Sequence, residues 1–221
     1  MVVLIDFGSQ TAHLIARRVR EFGITVEIVE PEHALSAVKK FKSSGIILSG
    51  GPSSVYEKGA PTIDRKIFSL GIPILAICYG FQLTSHLLGG KVVSGKKEYG
   101  PALLRRMSNT TNFKFPISNK IPKEFTVWMS HGDEITKLPA GFENLGSTEH
   151  VPHAFVINKK KKILGLLFHP EIEHTEYGTD ILEQFISMTG IKKSKHKIDI
   201  DKIIQKIKAQ VGDAYVIGAV S

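Results

Sequence analysis

The chain contains one cysteine, and it stands where a thiol could act as a nucleophile. Cys78 ends the apolar run Ile72-Pro73-Ile74-Leu75-Ala76-Ile77 and is followed closely by Gly80. Far downstream, a second apolar run over residues 163–168 ends in His169 and Glu171. A thiol at one strand end, with an imidazole and a carboxylate at another, is the minimum set for nucleophilic acyl transfer.

The residues around Cys78 follow the pattern small-x-nucleophile-x-Gly. In α/β hydrolases this turn between a strand and a helix lifts the nucleophile above the edge of the sheet. Ala76 and Gly80 are the small flanking residues, and the N-terminus of the following helix stabilises negative charge, as a thiolate requires. A buried structural cysteine is the alternative, because free Cys packs as a small hydrophobe. Position alone does not decide between the two.

His169 and Glu171 favour the catalytic interpretation. In an extended segment, residues two apart point to the same side, so Glu171 could orient the His169 ring while the other ring nitrogen faces the thiol. A His-x-Glu pair also occurs in zinc deaminases, but those sites need further cysteines, which the chain lacks. A metal site formed by His169, Glu171, Glu173 and His174 is a minor alternative, and we expect no metal.

Gly50-Gly51-Pro52 supplies a third component after another buried strand. A glycine turn can present backbone N–H groups in a concave nest, and the amides of Gly51 and Tyr79 could form an oxyanion hole. An ordinary tight turn is the alternative. The sequence contains neither a Gly-x-x-x-x-Gly-Lys-Ser/Thr loop nor Gly-x-Gly-x-x-Gly, so no motif indicates nucleotide binding.

The elements that position these groups alternate between strand and helix up to about residue 90, which is typical of a parallel α/β sheet. Later segments are mostly short and β-like, until helical spacing returns at 176–188. The predicted strands are 2–5, 25–29, 45–49 and 73–77, followed by 91–93, 102–107, 124–129, 143–147, 153–157 and 162–168. The predicted helices in the first half are 11–22, 33–41, 61–70 and 80–88.

Composition limits the cellular setting. The 221 residues are 42% hydrophobic, which suits one ordinary domain with an appended segment. No run approaches the roughly 18 apolar residues of a membrane span, and the start lacks a signal peptide. One cysteine excludes an internal disulfide. We therefore expect a cytoplasmic protein with no membrane partner.

The net charge of +8 raises the question of a nucleic-acid partner. Much of it lies in two lysine-rich runs, 159–162 and 192–197. The first reads as a hairpin tip and the second as a linker, and neither has aromatic residues interleaved for base stacking. We interpret both as solvated surface and expect no nucleic-acid partner.

The C-terminal part predicts a domain boundary. Residues 1–190 form the main domain, 191–212 a lysine-rich linker and an amphipathic helix, and 213–221 a turn and the first strand of a truncated second domain. A lone strand cannot satisfy its own backbone groups. The helix has an apolar stripe that needs a cover, so self-association into a homodimer is one expectation. The stripe consists of Ile200, Ile203, Ile204, Ile207 and Val211.

Taken together, these residues resemble the class I (triad-type) glutamine amidotransferases, and in particular the amidotransferase domain of GMP synthetases. The resemblance spans residues 4 to about 180. It implies a flavodoxin-like, open, mostly parallel twisted sheet with helices on both faces and an added antiparallel β segment. The matching stretches are Leu4-Ile5-Asp6-Phe7-Gly8-Ser9-Gln10, 46–56, 77–83, Glu98-Tyr99-Gly100, 127–133 and Phe168-His169-Pro170-Glu171.

The resemblance also implies roles. Cys78 would attack the side-chain amide of L-glutamine to give a γ-glutamyl thioester and ammonia, with His169 as general base and acid and Glu171 orienting it. Gly51 and Tyr79 would hold the oxyanion, and no cofactor is implied for this half-reaction. Contacts to the substrate are expected from Gln82, Ser130 and His131.

In such synthetases the ammonia passes to an ATP-pyrophosphatase domain, which uses ATP and Mg²⁺ to aminate XMP to GMP. The last residues, Ile217-Gly218-Ala219-Val220-Ser221, look like the strand leading into that domain's Ser-Gly-Gly-x-Asp-Ser loop. The chain departs from the usual pattern at Ala76, Lys97 and Leu167, which bears on efficiency more than on chemistry.

Two other functions stay open from sequence alone. One is a catalytically silent module that docks an ATP-pyrophosphatase partner through residues 198–211. The other is a different cysteine hydrolase on the same scaffold, acting on another γ-glutamyl compound.

Overall fold

The computed structural model describes residues 1–107, 121–192, 200–212 and 214. Within these ranges the strands form one sheet, in the order β2-β1-β3-β4-β9-β8-β7-β5-β6. The predicted strand over 213–221 and most of the predicted linker lie outside the described residues. No helix in the described ranges is both long enough and apolar enough to cross a membrane.

The first half of the sheet is parallel and built from short strands buried along their whole length, apart from the edge strand β2. Pairing runs β2–β1–β3–β4–β9, with all neighbours parallel. Such strands are covered on both faces and therefore read as continuous apolar runs. The strands are β1 (Val2–Ile5), β2 (Val26–Val29), β3 (Gly45–Leu48), β4 (Ile74–Ile77) and β9 (Ile163–Leu166).

The connecting helices lie on both faces of the sheet. The chain steps from β1 to β2 through α1 (Ala12–Arg20) and returns to β3 through α2 (Ala34–Lys40). Because parallel crossovers are right-handed, this reversal puts α1 and α2 on opposite faces. The other helices are α3 (Tyr79–Leu87), α4 (Gly178–Thr189), which contacts α1, and α5 (Ile200–Val211).

The second half of the sheet is antiparallel and dominated by a long hairpin. Strand β5 (Lys91–Arg106) pairs with β6 (Glu124–Lys137), and β7 (Glu143–Ser147) and β8 (Phe155–Asn158) join this pair to β9. The fold is thus the predicted mostly parallel α/β sheet with an added antiparallel segment, which confirms the expected fold class.

Two local predictions were wrong. Residues 61–70 were expected to form an α-helix, but only a 3₁₀ helix, Arg65–Ser69, forms there. Asp64 begins it, because its Oδ1 accepts a hydrogen bond from the N–H of Lys66 at 2.8 Å, and Gly71 follows with φ +71°. The separate short strands expected at 91–93 and 102–107 are parts of the single strand β5.

Candidate active site

Four chain segments meet at the carboxyl ends of the parallel strands. Residues 6–11 follow β1, Gly50 and Gly51 follow β3, Cys78 follows β4, and the segment with His169 and Glu171 follows β9. The chain leaves β1 in one direction and returns on its other side at β3. Open α/β sheets bind ligands at such a reversal. A cavity of about 830 Å³ opens there, with Cys78 and His169 in its lining.

The backbone at Cys78 holds the thiol in a strained turn. Its φ of 48° and ψ of −110° are rare for any residue with a Cβ. The amide of Cys78 donates to the carbonyl of Leu166 at 2.7 Å, and that of Gly80 to the carbonyl of Ser49 at 3.0 Å. A Cβ at Gly80 would lie 2.6 Å from both Cβ and the carbonyl oxygen of Leu48. The turn therefore needs a residue without a side chain at this position.

Hydrogen bonds fix both the backbone and the ring of His169. Its amide donates to the carbonyl of Trp128 at 3.0 Å, and its carbonyl accepts from the Thr175 hydroxyl at 2.6 Å. Its Nδ1 lies 2.8 Å from Oε1 of Glu171. Because a carboxylate only accepts, Nδ1 carries a proton and Nε2 is the nitrogen left for other partners.

The imidazole and the thiol stand over one glycine. A Cβ at Gly50 would lie 3.2 Å from Cε1 of His169 and 3.7 Å from Cβ of Cys78, so the two side chains are neighbours. The Cys78 thiol donates to the carbonyl oxygen of Ser130, 3.4 Å away. The structure thus brings Cys78 beside the hydrogen-bonded pair of His169 and Glu171.

The charge state of His169 follows from its neighbours. Burial by itself lowers the pKa of His169, but the interactions with Cys78 and Glu171 outweigh it and raise the pKa to about 10. His169 is 8% exposed and Glu171 only 1% exposed, so water screens their attraction weakly. The ring is therefore an imidazolium at neutral pH.

Gly51 and Tyr79 lie beside the elbow. A Cβ at Gly51 would lie 2.7 Å from the carbonyl oxygen of Phe7 and 3.3 Å from Cγ of Tyr79. Tyr79 is the first residue of α3, so its N–H belongs to the first turn, whose donors have no partner within the helix. The two residues expected to form an oxyanion hole are therefore neighbours in space.

The β5–β6 hairpin forms the opposite wall of the cavity. Gln82 Nε2 donates to the carbonyl of Asp133 at 3.2 Å, and His131 Nδ1 lies 3.1 Å from the same oxygen. Burial, as the largest effect, lowers the pKa of His131, so its ring is neutral with the proton on Nδ1. Of the three expected substrate contacts, Ser130 presents its backbone carbonyl to the thiol, and Gln82 and His131 both line the cavity.

Sequence reasoning missed three residues of this site. Asp133 accepts a hydrogen bond from the Tyr56 hydroxyl at 2.8 Å, and Thr11 donates to Glu171 at 2.6 Å. Asp133 follows directly on Ser130 and His131 in a stretch already singled out, so it could have been included. Tyr56 likewise ends the stretch 46–56, which was also singled out, whereas nothing local marks Thr11.

The alternative metal set does not come together. The His174 ring packs against Trp128, with ring centroids 5.0 Å apart. In the described ranges, the group with metal-ligand spacing is Glu30, Glu32 and His33, which is exposed and outside the cavity lining.

The fold and the site together define an α/β protein that brings a Cys, a His and a Glu side chain together at the carboxyl ends of its parallel strands. The sequence profile of the class-I glutamine amidotransferases matches residues 3–188. The chain belongs to this family.

Comparison with individual proteins identifies more specific relatives within this family. The chain is 45% identical to the GMP synthase [glutamine-hydrolyzing] of Staphylococcus carnosus and 47% identical to that of Aquifex aeolicus. Both alignments cover 100% of this chain but only 42% and 43% of the relatives. The chain thus spans less than half the length of the curated relatives it matches.

Solved structures agree on the fold. A protein of Thermoplasma acidophilum, described as a proposed GMP synthase subunit, superposes with a TM-score of 0.75 and 31% identity, over 93% of this chain and 96% of that one. A glutamine amidotransferase from Thermotoga maritima gives a TM-score of 0.59 at 21% identity, over 95% and 90% of the two chains, and supports the fold alone.

Proposed function

We propose that this chain hydrolyses L-glutamine to glutamate and ammonia, with Cys78 as the nucleophile. The observation that carries the proposal is that Cys78 and His169 line one cavity and lie over the same glycine, with His169 hydrogen-bonded to Glu171. A strained elbow, a buried imidazolium and a buried carboxylate are costly to maintain. A catalytically silent docking module would have no use for them.

The first half-reaction forms a thioester. The Cys78 thiolate attacks the side-chain amide carbon of glutamine, and the carbonyl oxygen becomes an oxyanion. When this tetrahedral adduct collapses, the C–N bond breaks and Nε2 of His169 gives its proton to the departing nitrogen. The products are neutral ammonia and a γ-glutamyl thioester on a neutral His169.

The second half-reaction restores the site. Neutral His169 takes a proton from water at Nε2, and the resulting hydroxide attacks the thioester carbon. The C–S bond breaks, the new γ-carboxyl group loses its proton to water as glutamate leaves, and the thiolate–imidazolium pair is regenerated. Glu171 keeps the proton on Nδ1 throughout, so that Nε2 is always the nitrogen that exchanges protons.

The oxyanion hole is assigned to the N–H groups of Gly51 and Tyr79, two residues that are neighbours beside the elbow. Backbone donors of this kind stabilise charge as it develops and need no reorganisation. No cofactor or metal takes part in these steps as written.

Substrate contacts are assigned to Gln82 on α3 and to Ser130 and His131 on the hairpin wall. Gln82 and His131 both hydrogen-bond to the carbonyl of Asp133, which holds them in place. The cavity also contains one side chain of each sign on this wall, Lys97 and Asp133. This charge pattern complements the carboxylate and ammonium groups of a free amino acid.

The fate of the ammonia is inferred from the relatives. The relatives from Staphylococcus carnosus and Aquifex aeolicus are named GMP synthase [glutamine-hydrolyzing], and the chain covers 42% and 43% of their lengths. We therefore propose that a separate ATP-pyrophosphatase domain, with ATP and Mg²⁺, uses the ammonia to aminate XMP to GMP in the cytoplasm. In this arrangement residues 1–190 are the glutaminase domain, 191–212 the connection and 213–221 the start of the synthetase domain.

The proposal is tested by following glutamate release from glutamine for the wild-type chain and for His169→Ala. We expect turnover by the wild type and a loss of about 10³-fold or more in the variant, because it lacks the proton donor. Equal turnover by both would contradict the assignment. If the wild type alone is inactive, the same comparison is made after the synthetase domain and its substrates are added, and hydrolysis by neither form would favour the docking module.

A further inference from the structure

Thr11 occupies an unusual position for a threonine that precedes a helix. It is the N-cap residue of α1, yet its side chain makes no capping hydrogen bond. A threonine hydroxyl at this position ordinarily accepts a bond from the first turn of the helix. Here the hydroxyl donates instead to Oε1 of Glu171, 2.6 Å away and 160 residues distant in sequence.

The same carboxylate oxygen therefore accepts two hydrogen bonds. Oε1 of Glu171 lies 2.6 Å from Oγ1 of Thr11 and 2.8 Å from Nδ1 of His169. In the described part of the chain, Oε2 of Glu171 is buried without a hydrogen-bond partner. Two groups thus hold the carboxylate of Glu171, and Thr11 is the one outside the Cys78–His169–Glu171 triad.

The direction of the hydroxyl bonds is fixed. A carboxylate cannot donate, so the single proton of the Thr11 hydroxyl goes to Glu171. The Ser9 hydroxyl, 3.0 Å from Oγ1 of Thr11, must then be the donor in that pair. The N–H of Ser9 in turn donates to Oδ1 of Asp6 at 2.9 Å. The hydroxyl donors run from Ser9 through Thr11 to Oε1 of Glu171, which also accepts from Nδ1–H of His169.

We infer that Thr11 is a positioning residue for the triad: its hydroxyl fixes the oxygen of Glu171 that meets His169 and shares the charge of that oxygen. The inference rests on the proposed function. Without the hydroxyl, the negative charge of Oε1 is offered to the imidazolium alone, which becomes a weaker acid. Proton transfer to the departing nitrogen then slows, and so does regeneration of the base.

The test compares Thr11→Val, which keeps the shape but loses the donor, with Thr11→Ser, which keeps the donor. Thr136→Val is the matched control, because the Thr136 hydroxyl donates to the carbonyl of Lys91 at 3.4 Å on the exposed side of the hairpin. We expect kcat for glutamine hydrolysis to fall about 10-fold or more in Thr11→Val. KM should stay within about 2-fold, since no contact to substrate is removed. Thr11→Ser and Thr136→Val should resemble the wild type.

A second readout does not depend on turnover. The titration of the His169 ring is followed by NMR of histidine-labelled protein and assigned by the signal that disappears in His169→Gln. The midpoint should rise by about half a pH unit in Thr11→Val, and should not move in Thr11→Ser or Thr136→Val.

An unchanged or lowered midpoint in Thr11→Val would overturn the inference, as would a Thr11→Ser variant as impaired as Thr11→Val. A wild type that hydrolyses no glutamine under any condition would contradict the proposed function instead. The NMR titration would still decide whether Thr11 acts on the His169–Glu171 pair.

Discussion

The two halves of the sheet build the site in different ways. The parallel half supplies the proposed reacting groups from the ends of four-residue strands that are wholly buried. The antiparallel half supplies the proposed substrate wall from a hairpin of 16 and 14 residues, which is less completely buried. Chemistry tolerates little displacement of the reacting atoms, whereas a binding wall can adjust. The groups proposed to transfer protons therefore lie in the more completely buried half of the sheet.

Two glycines, one in the elbow and one in the hairpin at the cavity, differ in the room around them. A Cβ at Gly80 would meet Leu48 at 2.6 Å, while a Cβ at Gly132 on the hairpin would find its nearest neighbour, Cγ of Lys97, at 3.7 Å. The β5–β6 register also shifts between Ser94 and Glu98, next to Lys97 in the cavity lining. We therefore expect damage in the parallel half to reduce kcat or stability, and damage in the hairpin to raise KM.

Among the variants that compare the two halves of the sheet, the largest effect is expected for Glu171→Gln. The loss of the carboxylate removes the charge that keeps His169 protonated and correctly oriented, so kcat should fall about 10²-fold or more with little change in KM. The measurement is steady-state glutamate release. A variant with near-wild-type kcat would show that the orientation of His169 does not depend on Glu171.

Glu171→Gln should also change how the stability of the protein depends on pH. The folded protein raises the pKa of His169 from 6.5 to about 10, so the folded state binds this proton more tightly than the unfolded state. The stabilisation is complete below about pH 6.5 and is lost as the pH rises toward 10. Thermal unfolding should thus show a steeper fall in Tm over this range for the wild type than for Glu171→Gln. Parallel profiles would contradict the charge assignment.

Two glycine-to-alanine variants allow a direct comparison of the elbow with the hairpin. Gly80→Ala should lower the free energy of unfolding by about 3 kcal/mol and disrupt the elbow, because the new methyl group has no room against Leu48. Gly132→Ala is the control in the hairpin, where the space is open, and should cost less than about 1 kcal/mol. Urea unfolding of both variants measures the difference. Equal costs would mean that the elbow is no more tightly packed than the hairpin.

A smaller effect is expected for Asp133→Asn. The variant keeps an oxygen for the Tyr56 hydroxyl but removes the charge proposed for the ammonium group of the substrate. KM for glutamine should rise about 10-fold, with kcat within about 3-fold. Tyr56→Phe, which keeps the charge of Asp133, should raise KM less. A fall in kcat with an unchanged KM would place Asp133 with the reacting groups instead.

The smallest effect is expected for Lys97→Ala. Lys97 is exposed at the rim of the cavity, so water and salt screen its attraction for a substrate carboxylate. KM should rise about 2- to 5-fold at low ionic strength, and the difference from the wild type should shrink at high salt. A difference that does not respond to salt would indicate packing of the lysine stem rather than its charge.

How much of the fold and of the site could be predicted depends on how far apart in the sequence the interacting residues lie. The parallel strands and the residues at their ends follow from local patterns, since a buried strand reads as a continuous apolar run. Strand β5 was not predicted as one element, because Gly95, Gly100 and Pro101 read as breaks. In the structure Pro101 lies opposite Trp128 and Gly100 adopts φ +97° within the strand.

The long-range contacts of the site could not be read from the sequence. Thr11 and Glu171 are 160 positions apart, and Tyr56 and Asp133 are 77 apart. Neither Thr11 nor Tyr56 stands in a pattern that predicts a partner. Only the strand order of the sheet brings these residues together, and that order depends on the whole fold.

The most direct test of the account is whether glutamine forms a covalent γ-glutamyl adduct on Cys78 during turnover. Acid quenching of the reaction, followed by mass spectrometry of the Cys78 peptide, detects the thioester. The account predicts the adduct in the wild type, and loss of both adduct and glutamate release in Cys78→Ala. Undiminished glutamate release by Cys78→Ala would contradict it, because hydrolysis would then proceed without the thiol on which the site is built.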